Sequence, residues 1–218
     1  MARRRVAVLI SGRGSNLLAL LKAAEDPLYP AEIALVISNR ADAQGLVHAE
    51  EYGVATTVID HKAYTTREDF DAALTKELRR SQIDLICLAG FMRVLSAGFI
   101  AEWPDRILNI HPSLLPAFRG LNVQAQALTA GVKISGCTVH IVRPALDDGP
   151  IIAQAAVPVL AGDDAEKLTA RILAAEHQLY PAALALFASK TAVVRGDQVE
   201  ISADFQELSA KALYSFRV

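Results

Sequence analysis

The sequence predicts an α/β fold, a Rossmann-like and mostly parallel sheet with helices on both faces and antiparallel strands in the C-terminal part. Three features carry this. Short apolar runs alternate with longer amphipathic stretches through the first half, the pattern of strand–helix–strand units with right-handed crossovers. The first run, residues 6–10 (VAVLI), is apolar throughout, as expected of a strand covered on both faces. The pattern then changes. Residues 135–142 and 151–159 are consecutive strand-like runs, joined through Asp147-Asp148-Gly149-Pro150, which is turn chemistry.

The elements follow in order. Ser15 opens a helical stretch over 16–24, residues 33–38 read as a second strand, and 43–52 as a helix ended by Gly53. Residues 56–59 make a third strand. Thr65-Thr66-Arg67-Glu68 has the capping-box form and opens a helix running to about Arg80. Residues 84–89 form a fourth strand stopped by Gly90, a short helix covers 96–102, and a fifth strand covers 107–110. Residues 123–130 are helical up to Gly131, and 164–187 form a long helix expected to be interrupted near Pro181. The tail from Val193 carries one more short strand signal and no usable motif.

Of the 218 residues 52% are hydrophobic, 21% charged and 6% aromatic, ample for a packed core and against disorder. The formal net charge of −2 gives no basic field for nucleic acid or an anionic membrane, so neither is an expected partner. Arg3-Arg4-Arg5 reads as a solvated run before the first strand. No apolar run approaches the roughly 20 residues that span a bilayer, and the first one passes straight into Ser11-Gly12-Arg13-Gly14, unlike a signal peptide. Cys87 and Cys137 lie far apart in apolar segments and read as reduced core thiols, so a cytoplasmic location is expected. His48, His61, His140 and His177 read as structural; no pair has metal-ligand spacing with a supporting cysteine, and no metal is expected. With no repeat, low-complexity segment or linker, residues 1–218 are expected to form a single domain.

Ligands of such sheets bind at the carboxyl ends of the strands, which directs attention to residues 11–16, 38–40, 90–95 and 109–120. In Ser11-Gly12-Arg13-Gly14-Ser15-Asn16, small residues before a helix let backbone N–H groups approach an anion, and phosphate is the natural ligand. A tight turn needing glycine is the competing reading. Leu17 stands where a dinucleotide fingerprint has its third glycine, and Asn39-Arg40 where it has an acid; the P-loop lysine is absent too, against both NAD and ATP hydrolysis. In Asn109-Ile110-His111-Pro112, alternation puts Asn109 and His111 on one face at a strand end. An Asn amide can stabilise a developing oxyanion, and a His can act as acid or donor. Two prolines stiffen the loop that follows. On spacing alone the acidic turn at Asp147-Asp148 is structural, although a catalytic His needs an orienting carboxylate and these are the acids placed nearest.

Taken together, the segments Val8-Leu9-Ile10-Ser11-Gly12-Arg13-Gly14-Ser15-Asn16-Leu17, Leu88-Ala89-Gly90-Phe91-Met92-Arg93-Val94-Leu95-Ser96, Asn109-Ile110-His111-Pro112-Ser113-Leu114-Leu115-Pro116, Gly136-Cys137-Thr138-Val139-His140 and Leu146-Asp147-Asp148-Gly149-Pro150-Ile151-Ile152 resemble, in order, the glycinamide ribonucleotide formyltransferases. The similarity spans roughly residues 6–181. It implies a catalytic trio of Asn109, His111 and Asp147. It implies that Gly14, Ser15 and Asn16 bind the phosphate and neighbouring groups of the ribonucleotide, with Glu176 near the glycinamide amine. It implies that Met92, Arg93, Val94 and Leu95, with Arg67 and Asn109, meet the co-substrate 10-formyltetrahydrofolate. The loop Ala117-Phe118-Arg119-Gly120 falls where the family varies, and Asp148 stands beside the aligned acid, Asp147.

Direct amine attack on the formyl carbon is the expected reaction, with the small-molecule substrates as partners and a monomer or homodimer as the assembly. Rival formyl-folate enzymes share the Asn, His and Asp. A methionyl-tRNA formyltransferase carries a second domain and a formyltetrahydrofolate hydrolase a regulatory domain in front, and neither is expected in a chain of this length. A non-catalytic nucleotide-binding module gives no reason for the three residues to occur together.

Overall fold

The computed structural model describes residues 2–202; residues 203–218, counted in the expected single domain, lie outside the described residues. Five parallel strands, β1 (Arg4–Ile10), β2 (Ala31–Ser38), β3 (Thr56–Val58), β4 (Leu85–Leu88) and β5 (Ile107–His111), are extended by β6 (Ile134–Ile141), antiparallel to β5, and β7 (Ile151–Pro158), antiparallel to β6, in the order β3-β2-β1-β4-β5-β6-β7. The central strand β1 shows why its run is apolar without interruption. Val6, Val8 and Ile10 enter one core cluster and Ala7 and Leu9 another, on opposite faces of the sheet.

Helices α1 (Ser15–Ala24), α2 (Gly45–Glu51) and α6 (Ala165–Ala188) pack their apolar residues on the first face, and α3 (Arg67–Arg80) and α4 (Ala97–Glu102) on the second. A third, smaller cluster joins α5 (Val123–Thr129) to β6, β7 and α6 through Ala127, Cys137, Val157, Leu168 and Ile172. Both cysteines are free and buried, and burial pushes each thiol up to about 12. None of the helices among the described residues is long and apolar enough to cross a membrane.

Three local expectations need correction. The α3 cap is displaced by one residue. Thr66, not Thr65, accepts the backbone N–H of Asp69 and donates to its carboxylate, so an aspartate fills the role assigned to Glu68. Helix α6 runs unbroken for 24 residues through Pro181. Tyr180, Ala183 and Leu184 are fully buried around the proline, Tyr29 Oη donates to the Pro181 carbonyl, and Tyr180 Oη reaches the carbonyls of Leu88 and Leu108. This packing outweighs the roughly 3 kcal/mol that an interior proline costs an isolated helix. The single strand signal near Val193 is a hairpin, β8 (Ala192–Arg195) and β9 (Gln198–Ile201), which seats Val194, Val199 and Ile201 on the first core cluster.

Candidate active site

Strand β5 delivers Asn109 and His111 two residues apart, and the antiparallel register sets His140 opposite Asn109 and Thr138 opposite His111. His140 Nδ1 lies 3.0 Å from the Ile141 carbonyl and its Nε2 3.2 Å from Asn109 Nδ2. A carbonyl only accepts, so Nδ1 carries the proton and Nε2 offers its lone pair to an Asn109 N–H. Burial holds His140 below the usual histidine range, which favours this neutral form. The second Asn109 N–H has no partner among the described residues.

His111 is 5% exposed, its Nδ1 3.5 Å from Asp147 Oδ2 and its Nε2 2.9 Å from the Phe118 carbonyl. Both ring nitrogens thus face acceptors. Asp147 sits between two histidines, with Oδ1 3.9 Å from His140 Nε2, and Oδ2 also accepts from Gly120 N at 2.9 Å. Its backbone is left-handed, φ 49°, a conformation Asp tolerates better than most residues. Asp148 turns away to pair with Arg119, so of the two adjacent acids Asp147 alone meets His111. The loop after His111 is fixed from beneath. Ser113 Oγ donates toward the carbonyls of Ala117 and Phe118, and Thr138 Oγ1 donates to the Ser113 carbonyl while accepting from Leu115 N.

Beside this group, at the carboxyl ends of β1 and β4, lies a cavity of about 410 Å³ lined by the whole loop from Ser11 to Asn16, by Gly90 and Met92, and by one stripe of α6 that includes Glu176. The loop is held by close backbone approach. Gly14 has φ 74°, a Cβ on it would stand 2.6 Å from Gly45 Cα, and Gly45 N donates to the Gly12 carbonyl at 3.0 Å. Asn16 Nδ2 donates to Glu176 Oε2 at 2.7 Å, and both side chains are buried. Burial raises the Glu176 carboxyl above its ordinary value, partly opposed by the Asn16 bond. Among the described residues no group of three or more His, Cys, Asp and Glu side chains is arranged to hold a metal ion.

The formyl transferase family profile matches residues 4–184, most of the chain. The chain belongs to the formyl transferase family. It is 44% identical over 183 residues to the phosphoribosylglycinamide formyltransferase of Escherichia coli, covering 84% of this chain and 86% of that one. It is 55% identical over 194 residues to the trifunctional purine biosynthetic protein adenosine-3 of Drosophila melanogaster, where the match covers 88% of this chain but only 14% of the relative's length. Among solved structures, glycinamide ribonucleotide transformylase 1 from Symbiobacterium toebii superposes with a TM-score of 0.89 at 52% identity, covering 91% of this chain and 94% of that one.

The site residues expected of a formyl transferase are placed unevenly. Asn109, His111 and Asp147 come together, behind the cavity wall that Ile110 and Pro112 complete. Gly14, Ser15, Asn16 and Glu176 line the cavity. Of the folate segment, Met92 lines it, whereas the side chain of Leu95 is turned into the core with Phe91 and Phe99. Arg93 and Val94 are exposed, as is Arg67 at the first position of α3, and none of the three lines the cavity.

The sequence reading left three contacts around this site unassigned. His140 was read as structural because its link to Asn109 depends on strand register. Gly45 opens a helix 31 positions from Gly14 (45 − 14) and is paired with it only by packing. Ser11 Oγ accepts from Met92 N at 2.8 Å and donates to Asn39 Oδ1 at 2.6 Å, joining the first loop to the folate segment and to the end of β2.

Proposed function

We propose that this formyl transferase moves the formyl group of 10-formyltetrahydrofolate to the primary amine of glycinamide ribonucleotide in purine biosynthesis. The observation that carries the reading is the meeting of Asn109, His111 and Asp147 beside a cavity that joins a phosphate-type loop to a buried carboxylate. The similarity to a phosphoribosylglycinamide formyltransferase over 86% of its length supports the same substrates.

The amine attacks the formyl carbon directly; the tetrahedral adduct then collapses with cleavage of the bond from the formyl carbon to folate N10, and tetrahydrofolate leaves with the proton that the amine gave up returned to N10. The unengaged N–H of Asn109 and an N–H of His111 stabilise the oxyanion as it forms. Asp147 orients His111 and, directly or through water, takes the proton released by the amine. The Phe118 carbonyl now occupying Nε2 gives way when the formyl oxygen arrives. Gly14, Ser15 and Asn16 receive the phosphate, and Glu176 faces the amine end. Backbone groups of residues 92–95, together with Met92, receive the pteridine ring, and Arg67 lies toward the rest of the folate. Holding both substrates in one geometry supplies much of the remaining rate. The enzyme works in the cytoplasm as a single domain, monomeric or homodimeric, without a metal.

The test is folate deformylation followed by absorbance, with and without glycinamide ribonucleotide. Turnover that requires the ribonucleotide and disappears in His111→Ala supports the reading. Equal deformylation without it makes the chain a hydrolase, and none in either case leaves only a binding module.

A further inference from the structure

We infer that Arg13 is the side chain that recognises the substrate's phosphate, a role that rests on the ribonucleotide reading above. Arg13 lies inside the loop whose neighbours Gly14, Ser15 and Asn16 were assigned to the phosphate, yet it has no part in that assignment. It is exposed, and among the described residues no hydrogen bond or ion pair holds its guanidinium. An arginine left unpaired at the mouth of a cavity keeps its five donors for a ligand.

The charges along the cavity fix its direction. Among the described residues Arg13 is the sole cationic lining residue and Glu176 the sole acidic one. Both are placed against one stripe of α6, Thr169, Ile172, Leu173 and Glu176, at the i, i+3, i+4, i+7 spacing of a helix face. Thr169 and Arg13 also line a neighbouring cavity of about 440 Å³ that Glu176 does not reach, so Arg13 belongs to the Thr169 end. Seven residues of helix separate the two ends by about 10 Å. The cavity is a dipolar slot with a cation at one end, a carboxylate at the other and two aliphatic side chains between. A molecule carrying phosphate and amine at opposite ends fits it in one orientation only.

Two further observations place the anion on the Asn16 side of Arg13. Asn16 is 9% exposed, lines the slot, and its Oδ1 has no hydrogen-bond partner among the described residues. This acceptor is left for a substrate hydroxyl or amide N–H next to the phosphate. On the other side of Arg13, the neighbouring cavity carries the exposed carboxylate of Glu166, which repels anions. The amino end of the ten-residue helix α1 adds its unpaired N–H groups to the guanidinium.

The experiment compares the unchanged protein with Arg13→Ala and Arg13→Lys. In Arg13→Ala the KM for the ribonucleotide should rise about 10- to 100-fold, the loss expected for a charge-assisted hydrogen-bonded contact. The kcat and the folate KM should hold, and the advantage of the ribonucleotide over its dephosphorylated riboside should shrink by the same factor. Arg13→Lys should recover part of the loss, having the charge without the fork. Inorganic phosphate serves as a probe independent of turnover. It should raise the Tm of the unchanged protein and of Arg13→Lys, and not that of Arg13→Ala. Equal phosphate stabilisation of all three, or of none, overturns the assignment. Failure of the unchanged protein to formylate the ribonucleotide overturns the function proposed above, and the phosphate melts still decide the role of Arg13.

Discussion

Asn109 and His140 are bonded across two antiparallel strands, Nδ2 to Nε2 at 3.2 Å, and the bond exists only while His140 is neutral. Protonation would leave two donors facing each other and free the Asn109 amide to rotate. His140→Leu should therefore lower kcat by at least about tenfold, short of the 10²–10³ expected when an oxyanion donor itself is lost. His140→Gln, whose amide oxygen can accept the same N–H, should stay within about tenfold of the unchanged enzyme. The pH dependence has a definite sign. Burial depresses the folded-state pKa of His140 below the ordinary 6.5, so its contribution to stability is present above that value and is lost as pH falls through the lower, folded one. Acid unfolding of His140→Gln should lack this component. Equal acid sensitivity of the two proteins in urea melts would refute the account.

Asn109 itself is expected to act late on the reaction path. Its free N–H meets an oxygen whose charge grows during attack, so Asn109→Ala should cut kcat about 10²- to 10³-fold with little change in either KM. Steady-state kinetics with both substrates varied distinguishes this from a binding defect. A KM effect with kcat preserved would make Asn109 a binding residue only.

How much of this was legible beforehand depended on the range of the physics. The order of strands and helices was written in local periodicity, and β1 shows why: a strand covered on both faces must be apolar at every position. Asn109 and His111 were legible because two-residue alternation puts them on one face. Asp147 was not legible from spacing, and only the family resemblance singled it out. Its approach to His111 spans 36 positions (147 − 111) and depends on a left-handed backbone that no local pattern announces. His140 was set aside for the same reason. Its partner is fixed by the register of β5 on β6, which emerges only when the sheet forms. The unbroken helix through Pro181 is the converse case, a strong local signal overruled by tertiary packing.

Gly14 and Gly45 are expected to behave as a pair, in unequal measure. A Cβ on Gly45 would meet Ile10 Cδ1 at 2.6 Å and Gly14 Cα at 3.1 Å; the first can swing aside, the second is backbone. A Cβ on Gly14 would meet Gly45 Cα at 2.6 Å and would also burden a residue at φ 74°. Gly45→Ala should then cost about 1–3 kcal/mol, the usual range for overpacking. Gly14→Ala should cost more, with about 1–2 kcal/mol of left-handed strain added. In both variants the ribonucleotide KM should rise more than the folate KM, because the displaced backbone belongs to the loop proposed to receive the phosphate. Urea melts and two-substrate kinetics check the order, and a Gly14→Ala protein as stable as Gly45→Ala would contradict it.

Glu176 should couple substrate binding to proton release. Its carboxyl is raised by burial, and the Asn16 N–H is the partner that opposes the shift. A raised folded-state value means the native protein holds this proton more tightly than the unfolded chain. The associated stability is full below the ordinary 4.5 and is lost as pH rises through the folded value. Glu176→Gln removes that loss, so its stability relative to the unchanged protein should improve with rising pH across the same window. A substrate amine arriving as an ammonium supplies the counter-charge that burial denies, and the carboxyl then gives up its proton. Between the ordinary 4.5 and the raised folded value, ribonucleotide binding to the unchanged enzyme should release protons, seen as a calorimetric heat that changes with the ionisation enthalpy of the buffer. In Glu176→Gln that dependence should vanish and the ribonucleotide KM should rise. A buffer-independent heat in the unchanged enzyme across that window would mean that Glu176 does not meet the amine.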